Sequence, residues 1–253
     1  MGLLDILKGK FWGENSIQIG TSSHQHTRRA QVRFQMNNSK FCFLETPTGT
    51  KYVVKDLSYM ACYVEPMQES NESLMAENAS VKIYLFGTKI GLPISNLKKR
   101  GMGWVVSFTH KDEQFFLQLA SVLEPLRFGN TSVEMANDPS KSAASSELIR
   151  KRYIGEGPFD LVCERDASDK IVFAMVTMRR AEVYFSVLLE NGHVITKQNV
   201  DSRGVGARMA QTAEPDSKLV YAAAAGCFGV SNRDGRDVSS LLHDWLVQNG
   251  MLG

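Results

Sequence analysis

Gln31-Val-Arg-Phe-Gln-Met36 decides how the first half of this chain is read. Val32, Phe34 and Met36 alternate with Arg33 and Gln35, a period of two that gathers apolar side chains on one face of a strand. Similar short runs follow at Phe41-Cys-Phe-Leu44, Lys51-Tyr-Val-Val-Lys55, Met60-Ala-Cys-Tyr-Val64, Val81-Lys-Ile-Tyr-Leu-Phe86 and Gly101-Met-Gly-Trp-Val-Val-Ser-Phe108. Strands this short and this closely spaced predict a small antiparallel barrel or sandwich. A helix is expected next. Asp112 and Glu113 enrich its first turn, and Phe115, Phe116, Leu119, Val122 and Leu123 form its apolar face. Pro125 should end it or mark its last turn.

Before this region, Met1-Gly-Leu-Leu-Asp-Ile-Leu-Lys-Gly-Lys-Phe-Trp12 is short and amphipathic and lacks the cleavage region of a signal peptide. It reads as a docking helix or frayed terminus, with membrane-surface anchoring as the alternative. Residues 13–27 are a polar arm. Beyond the helix, residues 129–146 turn small and polar, which marks a domain boundary. The second half mixes strands around 159–164, 170–177, 181–189 and 193–199 with two closing helices around Ser217–Phe228 and Val238–Val247. Glu190-Asn-Gly-His193 carries the Asn-Gly pair of a two-residue hairpin, whose central residues both need positive φ. The expected fold class is α+β. Residues 1–24 form a terminal helix and arm, 25–128 a barrel domain, 129–146 a linker and 147–253 a second mixed α+β domain.

Composition narrows the function classes. The 253 residues carry a net charge of +2, too little excess for a general polyanion binder, so nucleic acid is not an expected partner. Cys42, Cys62, Cys163 and Cys227 form no CxxC pair and lie in apolar settings, which predicts buried reduced thiols in a cytoplasmic protein. No apolar stretch approaches the roughly 20 residues of a membrane span. A P-loop, HExxH and GxSxG are all missing from the sequence, and Gly204-Val-Gly206-Ala-Arg-Met209 has Met where a dinucleotide loop needs its third Gly. His243-Asp244 reads as a surface pair, and Glu164, Arg165, Asp166 and Asp169 as a charged strand end and turn. Lys98-Lys-Arg100 reads as a solvated hairpin. The expectation is a protein without catalytic residues, metal or cofactor.

One local charge cluster stands out. Arg28, Arg29 and Arg33 lie together at the entrance to the first strand. Guanidinium groups fork onto planar anions and purine edges, and stack on aromatic rings.

Residues 25–127 resemble PilZ domains, small six-stranded barrels with a C-terminal helix that bind cyclic di-GMP in many bacterial proteins. The family pattern is RxxxR near the barrel entrance, followed further along by D/N-x-S-x-x-G. Arg29-Ala-Gln-Val-Arg33, with Arg28 before it, matches the first element. Asp56-Leu-Ser58-Tyr-Met-Ala61 is similar to the second and lies between two of the strand runs. The resemblance implies that the arginines meet phosphate oxygens and guanine O6 and N7, while Asp56 accepts from guanine N1–H and N2–H. It also implies that Ser58 donates to phosphate or orients Asp56, and that the arginine arm folds over the ligand. Ala61 departs from the family's glycine. If that position needs positive φ, the methyl costs about 1 kcal/mol; if it needs close approach of the ligand to Cα, the loss is larger. The implied function is a cytoplasmic bacterial cyclic di-GMP receptor or adaptor that signals to its second domain or to a protein of a motility, pilus or signalling assembly. The alternative is a degenerate module that acts through protein contacts and binds no nucleotide.

Overall fold

The structure is a computed structural model that describes residues 33–36, 40–67, 81–109, 113–136, 148–157, 159–180, 183–199 and 209–251. All of them lie in one compact unit, Arg33–Gly253. The predicted terminal helix, residues 1–12, the polar arm, residues 13–27, and most of the linker, residues 137–146, lie outside the described residues.

Period-two burial builds the first sheet. Its strands are β1 (Phe34–Gln35), β2 (Cys42–Glu45), β3 (Lys51–Leu57), β4 (Ala61–Pro66), β5 (Lys82–Leu85), β6 (Thr88–Gly91), β7 (Ile94–Arg100) and β8 (Gly103–Phe108). The order is β6-β5-β2-β3-β4-β8-β7, every pair antiparallel, and the sheet curls into a half-barrel. Leu44, Tyr52, Val54, Val64, Ile83, Leu85 and Val106 are buried on its concave face. One edge of β3 serves two neighbours: Lys51, Tyr52 and Val53 pair with β2, while Asp56 and Leu57 pair with β1. Lys98-Lys-Arg100, read from sequence as a hairpin, ends the exposed strand β7, where a row of cations discourages pairing with a foreign edge. Gly101 and Met102, expected to open the next strand, form the turn into β8 instead.

The second sheet is a strict meander of β9 (Val133–Glu134), β10 (Ile149–Ile154), β11 (Asp160–Arg165), β12 (Ile171–Arg180), β13 (Val183–Glu190), β14 (His193–Asn199) and β15 (Met209–Gln211). Asn191 and Gly192 take φ of 49° and 82°, the primed turn that their sequence predicts. Residues 129–134, within the expected linker, finish a helix and form β9.

Three helices are described: α1 (Glu113–Asn130), α2 (Ser217–Gly229) and α3 (Arg233–Gln248). Asp216 caps α2 by accepting from Lys218 N at 2.9 Å, and Asn232 caps α3 by accepting from Gly235 N at 3.0 Å. Pro125 does not end α1, contrary to the sequence expectation; the helix runs on to Asn130 with Pro125 inside it. The lost hydrogen bond, costing about 3 kcal/mol in a helix interior, is offset by burial of Leu126 and Phe128 in the last turns. None of the described helices is long and apolar enough to cross a membrane.

Helix α2 is buried almost all round, as its Ala222-Ala-Ala-Ala-Gly226 core allows. Two reciprocal notches set its approach to α1. A Cβ at Gly129 would fall 1.9 Å from the Gly226 carbonyl oxygen, and one at Gly229 would fall 2.2 Å from that of Leu126. The other side of α2 packs on the meander, where Gly226 meets Phe159 and Met178. A further bridge joins the helices to the half-barrel. Phe86 holds φ at 48°, an uncommon backbone for a bulky residue. Its buried ring lies against Phe41 and Phe228 with centroids 5.7 and 5.3 Å away. Buried side chains from both sheets and all three helices form one continuous hydrophobic cluster.

Gly129→Ala forces α1 and α2 apart and should lower stability by about 2–3 kcal/mol in urea unfolding. Gly91→Ala is the control: a Cβ there meets nothing within 4 Å, so its effect should stay within about 0.5 kcal/mol.

Candidate ligand-binding site

The residues singled out by the sequence converge where β1, β3 and β4 run side by side. Strict alternation from Tyr52 and Val54 would aim Asp56 into the core. The register shifts between Val54 and Asp56, so the carboxylate is turned outward and Leu57 takes the inward place. Asp56 lies opposite Gln35 on one side and Tyr63 on the other. Arg33, at the end of β1, donates from Nη1 to Asp56 Oδ1 at 2.8 Å. The side chains are 47% and 19% exposed, so this ion pair is worth at most about 1 kcal/mol and opens cheaply.

Around this pair, Lys55 Nζ lies 3.2 Å from Glu65 Oε2. The Tyr63 hydroxyl is 3.1 Å from Glu65 Oε1 and 3.2 Å from the Arg100 carbonyl oxygen. Cross-strand register continues the row outward from Asp56 through Tyr63 and Val105 to Lys98. The surface is therefore a shallow strip of cationic, carboxylate and phenolic groups.

Ser58 is 1% exposed and works inside the β3–β4 turn. Its Oγ donates to the Ala61 carbonyl at 3.0 Å and accepts from the Met60 and Ala61 amides at 3.3 and 3.2 Å. That hydroxyl fixes the corner that follows Asp56. Ala61 begins β4 opposite Ser107 and is not among the positive-φ residues, so its methyl carries no left-handed strain. Arg28 and Arg29 lie outside the described residues.

The thiols add no nucleophile. Burial pushes Cys42, Cys62 and Cys227 far up and Cys163 up to about 12, so all four stay protonated near neutral pH. Among the described residues, no cluster of His, Cys, Asp and Glu could hold a metal ion. A cleft of about 570 Å³ between Lys89, Ser121, Lys218 and Tyr221 contains none of the predicted ligand residues.

One expectation from the sequence is corrected at the far end of the fold. His243 is buried, edge-on to Phe41 with ring centres 4.9 Å apart, and is no surface residue. Arg165 ends β11 and Asp166 to Asp169 form the turn that the sequence predicts, but Arg165 itself is 5% exposed and donates to Asp234 Oδ1 from Nε and to Asp237 Oδ2 from Nη2, both at 2.7 Å. Tyr153 donates to Asp234 Oδ2 at 2.5 Å, and Lys151 stands 3.4 Å from the same oxygen. This network clamps the first turn of α3 to β10 and β11. Its signal was present in the sequence, since Leu161, Cys163 and Arg165 share one alternation and an arginine in an inward position requires a buried acid.

Protein-family models, curated proteins and solved structures give no match to this chain.

Burial works against the Asp234 charge, but hydrogen bonds from Tyr153 and Arg165 outweigh it and hold the carboxyl below its usual range. Its contribution to stability is therefore complete above the unfolded value of about 3.9 and is lost as pH falls through the depressed folded value. Asp234→Asn should cost about 3 kcal/mol at neutral pH by leaving Arg165 partly unpaired. It should also flatten the acid limb of a stability-against-pH curve measured by urea unfolding.

Proposed function

We propose that this chain is a PilZ-like receptor for cyclic di-GMP, with the nucleotide on the outer strip of the half-barrel beside Arg33 and Asp56. In this reading, residues 25–127 correspond to the family's barrel and terminal helix, with eight strands in a half-barrel where six in a barrel were expected. The observation that carries it is the pairing of Arg33 with Asp56, which are 23 residues apart and meet on an outward-turned bulge. A weak, half-exposed ion pair is a suitable resting state for a ligand site. Ligand binding separates it, freeing the guanidinium for a phosphate or a guanine edge and the carboxylate for guanine N1–H and N2–H. Arg28 and Arg29 supply the further cations that a doubly charged ligand needs. Ser58 serves indirectly by fixing the turn, and Ala61 fits the strand without strain. The chain acts as a bacterial cytoplasmic receptor or adaptor rather than an enzyme, and its readers are the rest of the fold or a protein of a motility, pilus or signalling assembly.

One observation favours a second reading. Asp56 already has an internal partner in Arg33, and the Ser58 hydroxyl is committed to its own turn. A module that binds protein through this strip, without nucleotide, would look the same.

Calorimetric titration with cyclic di-GMP separates the two. The nucleotide reading expects saturable heat at tens of micromolar ligand, loss of that heat in Arg33→Ala and Asp56→Ala, and unfolding midpoints close to the parent's. Ala61→Gly should change affinity by no more than about twofold, because no left-handed backbone needs relief. A folded chain that gives no heat overturns the nucleotide reading in favour of the interaction module.

A further inference from the structure

Strand β7 is an edge of the half-barrel. It pairs with β8 on one side and, among the described residues, with no strand on the other. Ser95, Asn96, Lys98, Lys99 and Arg100 are exposed along it. The two-residue turn at Gly101 and Met102 fixes which backbone groups are already used. Gly101 takes φ of 59°, as a primed turn begins, and Arg100 stands opposite Gly103. The residues flanking such a turn exchange both of their hydrogen bonds, and along the strands bonded and non-bonded pairs then alternate. Arg100 and Lys98 therefore bond to β8, while the N–H and C=O groups of Leu97 and Lys99 point out from the sheet edge. Side chains alternate as well. Lys98 lies in the outer row with Val105 and Tyr63, and Arg100 shares that face. Leu97 packs partly against the core, and Lys99 lies on its side of the sheet.

The charges on this edge are unmatched. Around the half-barrel, Arg33 is paired with Asp56, Lys40 with Asp244 and Lys55 with Glu65. Lys51 and Lys89 rest over the rings of Phe43 and Tyr84. Lys98, Lys99 and Arg100 have neither an ion pair nor a ring contact among the described residues. Met102, 81% exposed at the tip of the same hairpin, adds a flexible apolar contact.

We propose that β7 is a docking edge for an extended acidic segment of a partner protein, which adds a strand beside Asn96–Arg100. Five residues at about 3.4 Å each give about 17 Å of edge for backbone pairing. Carboxylates two residues apart in the segment stand on the outer face against Lys98 and Arg100, and the side chain between them lies beside Leu97 and Lys99. Cations along an edge turn away neutral and basic strands, whose pairing leaves those charges unmatched; a strand that carries carboxylates meets no such barrier. A nucleic acid would match the charges but not the alternating N–H and C=O groups, and a net charge of +2 gives it no broad cationic field. Seating the segment requires no nucleotide at Arg33 and Asp56.

Calorimetric titration of the full chain with the peptide acetyl-Thr-Glu-Val-Glu-Val-Glu-Thr-amide, at low salt, tests this. Saturable binding is expected with a dissociation constant on the order of 100 µM or tighter. Hydrogen exchange at the Leu97 and Lys99 amides should slow at least about tenfold in the complex. The same peptide N-methylated at alternate residues keeps its charges but loses strand-pairing donors, and should bind at least about tenfold more weakly. Lys98→Glu/Arg100→Glu should weaken the parent peptide by at least about tenfold while keeping the protein's circular dichroism. Absence of saturable binding up to about 2 mM peptide overturns the proposal. So does equal binding of the N-methylated peptide or of a thymidine oligonucleotide of the same charge, since charge alone would then suffice, and so do Leu97 and Lys99 amides that stay unprotected. Should the double variant fail to fold, the exchange and N-methylation results decide.

Discussion

The close crossing of α1 and α2 is the constraint on which the rest of the structure depends. Helix α1 belongs in sequence to the half-barrel, while α2 belongs to the meander. They meet through two glycines, each set against a carbonyl of the other helix. Small residues at a helix crossing do not bring apolar bulk; they bring backbones close enough for the surrounding side chains to interlock. Gly226 serves both sides at once, admitting α1 on one and Phe159 and Met178 on the other. The next helix obeys the same logic, for a Cβ at Gly235 would fall 2.5 Å from the Cys227 carbonyl oxygen.

What the sequence made legible was whatever has a short period. The strand runs, the Asn191-Gly192 turn and the closing helices all follow from alternation and local chemistry. The start of α3 was read too late, because Arg233-Asp-Gly-Arg-Asp237 has no apolar face even though Asn232 caps it well. The sequence places Pro125 at the end or in the last turn of α1 because the cost of a proline is local, whereas the packing that outweighs it comes from residues far along the chain. Strands β6 and β7 were missed for a related reason: Thr88–Gly91 is too short, and Ile94–Arg100 too polar, to give an alternation.

The site was half legible. Arg33 and Asp56 could be named from their residue types and order, and the structure brings them into contact. The bulge that makes Asp56 available could not be named, since a strict period of two buries it. Ser58 illustrates the converse. A hydroxyl that looks poised for a ligand is satisfied by three backbone groups within its own turn. The Arg165–Asp234–Tyr153 cluster was hidden because its members come from three separate elements, and only the inward phase of Arg165 betrays it.

The Phe41–Phe86–Phe228–His243 cluster has a consequence for the order in which the chain folds. Phe41 and Phe86 are among the earlier residues to be synthesised, while Phe228 and His243 come near the end. Beside them Lys40 bonds to Ser240, 200 residues away along the chain. The half-barrel therefore cannot close its own core while it emerges from the ribosome. Its apolar mouth stays open until the last helices arrive, and contacts of such long range slow folding and prolong the exposure of sticky surface. Cutting the chain after α1 would not release a barrel domain, because the side chains that finish its core are encoded at the other end of the sequence.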